Sequence, residues 1–282
     1  MKRPGEQLLA FFSLIRVQNV VALLAGQVLV AKKVFCPGCA WTRLLWNEKF
    51  WLMLAATAMI ITAGYIIDSF YNYKRDLINR PAKTLREQRL RLSHKLYLYF
   101  ALNTVAVALA LWISPRAAVF FALYALLIWI YFHKLQFRPW WHELFPPFLI
   151  LYPFFGLMLF FKQWNTFVLA AGLLVYLTLV FKELIKDYLT LKGDMVQGVR
   201  TWALGYREQA VRRLAGLLFL VWSAAAWWAA YTVPRRRWHF FILLLWIWMI
   251  FILFLFRRRQ YRMAYMLIRL LTATGIAGVL LI

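Results

Sequence analysis

Runs of about twenty apolar residues, separated by short clusters of charge, repeat along the whole chain. A helix needs about 20 such residues to cross the hydrocarbon core of a bilayer. The pattern predicts nine transmembrane helices, near residues 8–31, 50–72, 95–113, 117–132, 144–161, 166–187, 209–232, 238–256 and 263–282. Arg16, Gln18, Asn19 and Gln27 interrupt the first, and no small-residue cleavage site follows, so it reads as a retained helix and not a signal sequence. Pro146, Pro147 and Pro153 are expected to kink or shorten the fifth. The fold class is therefore all-α, a polytopic bundle of nine transmembrane helices around a central cavity, with residues 1–282 as one domain.

Composition agrees: 64% of the 282 residues are hydrophobic and 19% aromatic, more than a soluble domain of this length tolerates. The formal net charge of +24 would suggest nucleic acid in a soluble protein. Here the basic residues lie between apolar spans, so they fix orientation and imply no nucleic-acid partner. The loop after the second span carries Lys74, Arg75, Arg80, Lys83, Arg86, Arg89, Arg91 and Lys95. That after the sixth carries Lys192, Arg200, Arg207, Arg212 and Arg213, and that after the eighth Arg257, Arg258, Arg259 and Arg262. These loops are expected inside, with the N-terminus cytoplasmic, the C-terminus outside and the protein integral to a bacterial inner membrane.

Acidic residues are few, and their placement suggests chemistry. Asp68, Asn72 and Asp76 recur every four residues at the end of the second span, which puts three oxygen ligands on one helical face. Asp187 and Asp194, seven apart, repeat the arrangement at the end of the sixth. Aspartates inside or bordering a membrane helix are costly and mark function, whereas Asp76, Asp194 and Glu183 are expected to border water. Two such edges on the same side invite a metal-bridged anion between them.

These segments resemble the UbiA-type intramembrane prenyltransferases. Asp68, Ser69, Asn72 and Asp76, followed by Asn79-Arg80-Pro81, fall on the family's first signature, and Lys186, Asp187, Thr190, Gly193, Asp194, Gly198 and Thr201 on its second. Arg16 with Asn19, and Tyr131 with Lys134, resemble two further motifs, with Val17 in place of a proline. The resemblance implies a Mg2+-dependent transferase that moves a polyprenyl group from its diphosphate to a lipophilic acceptor, a quinone precursor or a glycerol-phosphate-type lipid, within the membrane. It implies catalytic and metal-binding roles for Asp68, Asn72, Asp76, Asp187 and Asp194, and substrate contacts for Arg16, Asn19, Arg80 and Lys134.

An allylic diphosphate ionises when its departing charge is neutralised by metal ions and basic clamps, for which Lys74, Lys134, Arg138, Lys186 and Arg200 are further candidates. Tyr65, Phe70, Tyr71 and Tyr73 could shield the carbocation, or serve only as interfacial packing. Ser69, Asn72 and Thr190 stand where aspartates are usual, leaving a second function open: a lipid-binding or assembly subunit with an eroded site. Cys36 and Cys39 suit a short disulfide or two free thiols, since no second half of a metal site exists. His94, His133, His142 and His239 show no ligand spacing.

Overall fold

A computed structural model describes residues 4–88, 90–233, 235–278 and 280. Arg89, and residues 279, 281 and 282 at the end of the ninth expected span, lie outside them. Every element among the described residues is helical: α1 (Pro4–Ile15), α2 (Val17–Val30, prolonged by a wider turn over Ala31–Phe35), α3 (Trp41–Leu45), α4 (Glu48–Tyr71), α5 (Tyr73–Asn79), α6 (Pro81–Glu87), α7 (Leu92–Ile113), α8 (Pro115–His133), α9 (Pro139–Phe161), α10 (Thr166–Gln197), α11 (Trp202–Gly205), α12 (Glu208–Tyr231), α13 (Arg236–Arg257) and α14 (Tyr261–Gly278). Eight stretches among the described residues are long and apolar enough to cross a membrane: Val17–Phe35, α4, α7, Pro115–Phe137, α9, α10, α12 and α13. α14 takes the place of the ninth expected span and packs on α10 and α13, but its 18 residues carry Arg262 and Arg269.

Helix limits follow local chemistry. Asn47, Ser114 and Asn165 cap α4, α8 and α10 by accepting the backbone N–H of Phe50, Ala117 and Phe167. Pro115, Pro139 and Pro81 occupy first-turn positions, where no N–H is needed.

Three expectations are corrected. The first span is not one helix, because Arg16 adopts a left-handed conformation (φ 48°) that separates α1 from α2. The fifth is not shortened: α9 runs 23 residues through all three internal prolines. Pro153 cannot donate to the Leu149 carbonyl, and the Tyr124 hydroxyl does so instead at 2.8 Å, while Gln27 donates to the Pro153 carbonyl at 3.1 Å. The sixth span does not stop near 187, since α10 continues to Gln197 before Gly198 ends it in a left-handed cap (φ 73°).

Two cores form, one of buried residues between Leu14 and Met158 and one between Phe167 and Leu271. Lipid is as apolar as leucine, so helices in a bilayer associate through close packing and polar contacts. Ala225, Ala226 and Ala229 let neighbours approach, and the Trp222 indole donates to Thr178 at 2.9 Å. The halves of the chain meet where α9 and α5 pack on α10. At the far end of α2, Cys36 and Cys39 are disulfide-bonded, with Cα atoms 5.3 Å apart, and Lys32 caps their loop by donating to the Cys39 carbonyl at 2.6 Å.

Candidate functional site

α4 gives way to α5 at Asn72, yet the helical hydrogen bonds run through the bend, from Asn72 to Asp68 (2.9 Å) and from Asp76 to Asn72 (2.9 Å). Asp68, Asn72 and Asp76 therefore keep one column. Asp68 is buried and accepts from the Arg16 guanidinium at 2.6 Å and from Asn72 Nδ2 at 2.5 Å. The unusual backbone of Arg16 aims that guanidinium, which also lies 4.9 Å from the Tyr65 ring centre. Asn19 donates to the Tyr65 hydroxyl at 3.3 Å. Burial works against the Arg16 charge, but Asp68, Tyr65, Asp76 and Glu87 together outweigh it, Asp68 foremost, and hold the pKa above the ordinary arginine value.

The second column lies on α10. Thr190 donates to Asp194 at 2.6 Å, and Lys186 pairs with Glu183 one turn earlier. Asp194 and Glu183, expected at the water boundary, are instead buried, at 1% and 7% exposure. Asp187 has no exposed surface, and no N–H or hydroxyl among the described residues donates to its oxygens; the Glu143 carboxyl is the group within hydrogen-bonding reach. His142 Nε2 lies 3.8 Å from Asp187 Oδ1, and its Nδ1 lies 3.1 Å from the Gln136 carbonyl. Glu143 stands beside Asp187 electrostatically and accepts the Trp202 backbone N–H at 2.5 Å.

The two columns are held together by close packing of α5 on α10. Asn79 donates to the Thr190 carbonyl at 3.3 Å and Gln197 to the Tyr71 carbonyl at 2.5 Å. Between the columns stands Arg75, 3.9 Å from Asp68, 3.5 Å from Asp76 and 3.9 Å from Asp194. Its burial opposes the charge, and these three carboxylates overcome that and raise its pKa above the ordinary value. Nearby, burial and the Arg16 charge pull the Lys83 pKa down, partly offset by Glu87, with which it pairs at 3.3 Å.

The remaining basic candidates lie further out. Lys74, Arg80 and Lys134 are exposed. Arg138 and Arg200 line a cavity of about 360 Å³ with Phe137, Pro139, Trp140 and Trp141, at the end of α9 that carries His142. Tyr131 is buried within electrostatic reach of Arg75, Asp68 and Asp187, while the Tyr71 hydroxyl meets His133 Nδ1 at 3.1 Å. Sequence reasoning passed over Arg75, His142 and Glu143. Arg75 is one of eight basic residues in its loop, and His142 approaches Asp187 only through the α9–α10 packing. Glu143 carried one usable signal, an acid beside an apolar span in a chain with only 10 acidic residues.

No group of three histidine, cysteine or carboxylate side chains among the described residues forms a ready-made metal cage. The donor set nonetheless suits a hard cation that keeps water and shares diphosphate oxygens. Asn72 Oδ1 is a buried acceptor without a partner, and no N–H or hydroxyl among the described residues donates to Asp187, as open ligand positions would have it.

The chain and its fold are similar to known proteins. The chain is 25% identical to digeranylgeranylglyceryl phosphate synthase of Sulfurisphaera tokodaii over 201 residues, covering 69% of each chain. It is 26% identical to the enzyme of that name from Methanobrevibacter smithii over 229 residues, 75% of this chain and 74% of that one. Its fold matches a solved structure of a digeranylgeranylglyceryl phosphate synthase study (TM-score 0.74, 17% identity, 98% of this chain and 100% of that one). It also matches a UbiA homologue from Archaeoglobus fulgidus bound to DMAPP and Mg2+ (TM-score 0.66, 12% identity, 96% and 99%). The model of the UbiA prenyltransferase family matches residues 20–271, a stretch that contains both acidic columns and the bundle that holds them, and the chain belongs to that family.

Proposed function

We propose that this prenyltransferase moves a polyprenyl group from its diphosphate to the hydroxyl of a glycerol-phosphate-type lipid, with Mg2+ as cofactor. The observation that carries the reading is the apposition of Asp68, Asn72 and Asp76 with Asp187 and Asp194 across α5 and α10. A divalent cation held by these oxygens would neutralise charge on the diphosphate. The chain's own residues do the rest. Arg16 and Arg75 hold the diphosphate end, with Lys186 as a further positive charge in reach. The allylic C–O bond breaks with its electron pair passing to the leaving diphosphate, the acceptor hydroxyl oxygen attacks the freed carbon, and the hydroxyl gives up its proton. Buried Tyr131 and the aromatic wall around it exclude water from the cation.

The acceptor class rests on the relatives' names and on charge. Arg138 and Arg200, set among aromatic side chains in their cavity, offer a bidentate grip for a phosphate headgroup, with Lys134 and Arg80 at the rim. A quinone precursor carries no such group. The basic loops favour a cytoplasmic acidic end, where magnesium and diphosphates are available, with the N-terminus on that side. The named relatives are archaeal, so an archaeal cytoplasmic membrane fits the reading better than a bacterial one.

The test is a purified-protein assay in nanodiscs with labelled geranylgeranyl diphosphate. Geranylgeranylglyceryl phosphate should be prenylated in a magnesium-dependent manner and 4-hydroxybenzoate should not. Labelling of 4-hydroxybenzoate alone would overturn the acceptor assignment. Binding of the diphosphate with no product from any acceptor would favour a lipid-binding or assembly subunit.

A further inference from the structure

Glu143 is an acid with no exposed surface, one turn inside α9, a helix long and apolar enough to cross the membrane. Such a group is costly to bury and marks function. Its Oε1 accepts the backbone N–H of Trp202, the first residue of α11, at 2.5 Å. Trp202 is itself 1% exposed, and its ring meets that of Trp140 edge to face, 5.3 Å between centres. Trp140 in turn lies 6.2 Å from the Tyr206 ring. Glu143 thus ties the connection between α10 and α12 to the start of α9.

That connection carries Arg200. Gly198 turns the chain out of α10, Val199, Thr201 and Trp202 are buried, and Arg200 is the exposed residue among them. The four residues of α11 are too few to hold a helix in place by their own hydrogen bonds, even with Thr201 accepting the Leu204 N–H at 3.3 Å. The position of α11, and of Arg200 two residues before Trp202, therefore depends on what the segment is fastened to. Arg138 is fixed from the other side, directly before Pro139 at the start of α9. The two arginines line one cavity, which Glu143 does not line, and the hydrogen bond from Trp202 to Glu143 is a direct tie between the backbones that carry them.

We infer that Glu143 is a positioning residue for the acceptor: by holding Trp202 it sets Arg200 beside Arg138, so that selection of a phosphorylated acceptor over a neutral one depends on it. The inference rests on the reading of the Arg138–Arg200 cavity as the headgroup site. It goes further in assigning the discrimination to a buried acid outside that cavity and outside both acidic columns.

The test uses the full-length protein in nanodiscs with geranylgeranyl diphosphate and either geranylgeranylglyceryl phosphate or geranylgeranylglycerol, which lacks the phosphate. The ratio of kcat/KM for the two acceptors is measured. Glu143 also stands beside Asp187, but a disturbance of the donor acts on both acceptors alike and cancels in the ratio. The wild type should favour the phosphate by at least a hundredfold, and Arg200→Gln should lower that ratio at least tenfold. Glu143→Ala should do the same with both arginines intact. Glu143→Gln, whose amide oxygen still accepts the Trp202 N–H, should keep the ratio within threefold of wild type. Thr201→Val, which loosens α11 from its own side, should also lower the ratio, and it takes the place of Glu143→Ala if that protein does not fold. A wild-type ratio in Glu143→Ala, or in Thr201→Val standing in for it, would overturn the inference and leave the headgroup reading intact. So would a Glu143→Gln protein no more selective than Glu143→Ala. A wild-type ratio in Arg200→Gln, or a wild type indifferent to the phosphate, would overturn the headgroup reading and this inference with it.

Discussion

Gly193 lies directly beneath Asn79, so close that a Cβ at Gly193 would collide with the Asn79 side chain and come within 2.8 Å of the Arg75 carbonyl oxygen. Backbone cannot yield as a flexible side chain can. Gly193→Ala should push α5 off α10, cost about 1–3 kcal/mol as an overpacked contact, and lower turnover at least tenfold. Gly216→Ala, whose new Cβ would be 3.8 Å from the tip of Arg257, is the control and should change neither. Thermal unfolding in detergent alongside the prenyl-transfer assay checks both, and an active Gly193→Ala protein would show that the two columns need not be held this tightly.

Asp187 pairs high functional demand with poor stability. A fully buried carboxyl that no N–H or hydroxyl donates to, set beside a second carboxyl at Glu143, is destabilising, so the isosteric amide should hold or raise the melting temperature, by about 2–4 °C for each kcal/mol recovered. Turnover should nevertheless fall at least a hundredfold, because an oxygen ligand to the cation has lost its charge. A clear drop in melting temperature would mean that Asp187 is structural.

Asn72 offers the reverse case. Its Nδ2 donates to Asp68 Oδ1 at 2.5 Å, and Asn72→Asp would replace that bond with two carboxylates in contact. Without metal the variant should melt several degrees below wild type in EDTA. Magnesium should restore it, and half-maximal activity should require less magnesium than in the wild type, since a carboxylate attracts a divalent ion more strongly than an amide oxygen. A melting temperature indifferent to magnesium would remove Asn72 from the metal site.

The spans were legible because an apolar run of membrane length has few other uses, and the two acidic columns because aspartates every four or seven residues share a helical face. Other features depend on pairs that sequence does not align. Arg16 breaks the first span without proline or glycine, through a conformation maintained by its contact with Asp68, 52 residues away. Pro146, Pro147 and Pro153 read as helix breakers, but the hydroxyl that takes up the freed Leu149 carbonyl comes from Tyr124 on another helix. Arg75 was hidden among loop charges whose shared explanation, orientation, was sufficient for the rest.

That orientation has its own test. Arg80 is exposed at the acidic end, and Trp46, 84% exposed, lies in the loop beyond the disulfide. No free thiol competes among the described residues. In sealed right-side-out vesicles an impermeant maleimide should modify Trp46→Cys and spare Arg80→Cys until the membrane is opened. The opposite pattern would invert the protein.

The 32 residues of α10 span about 48 Å at the usual helical rise, against a hydrocarbon layer of about 30 Å. Its apolar part is anchored by lipid, and its last turns carry Asp187, Thr190 and Asp194 with no intervening hinge. A thicker bilayer would tilt this rod or draw it inward, moving the acids relative to the water from which the diphosphate and its ion arrive. Turnover in nanodiscs should therefore vary with the acyl-chain length of the surrounding lipid.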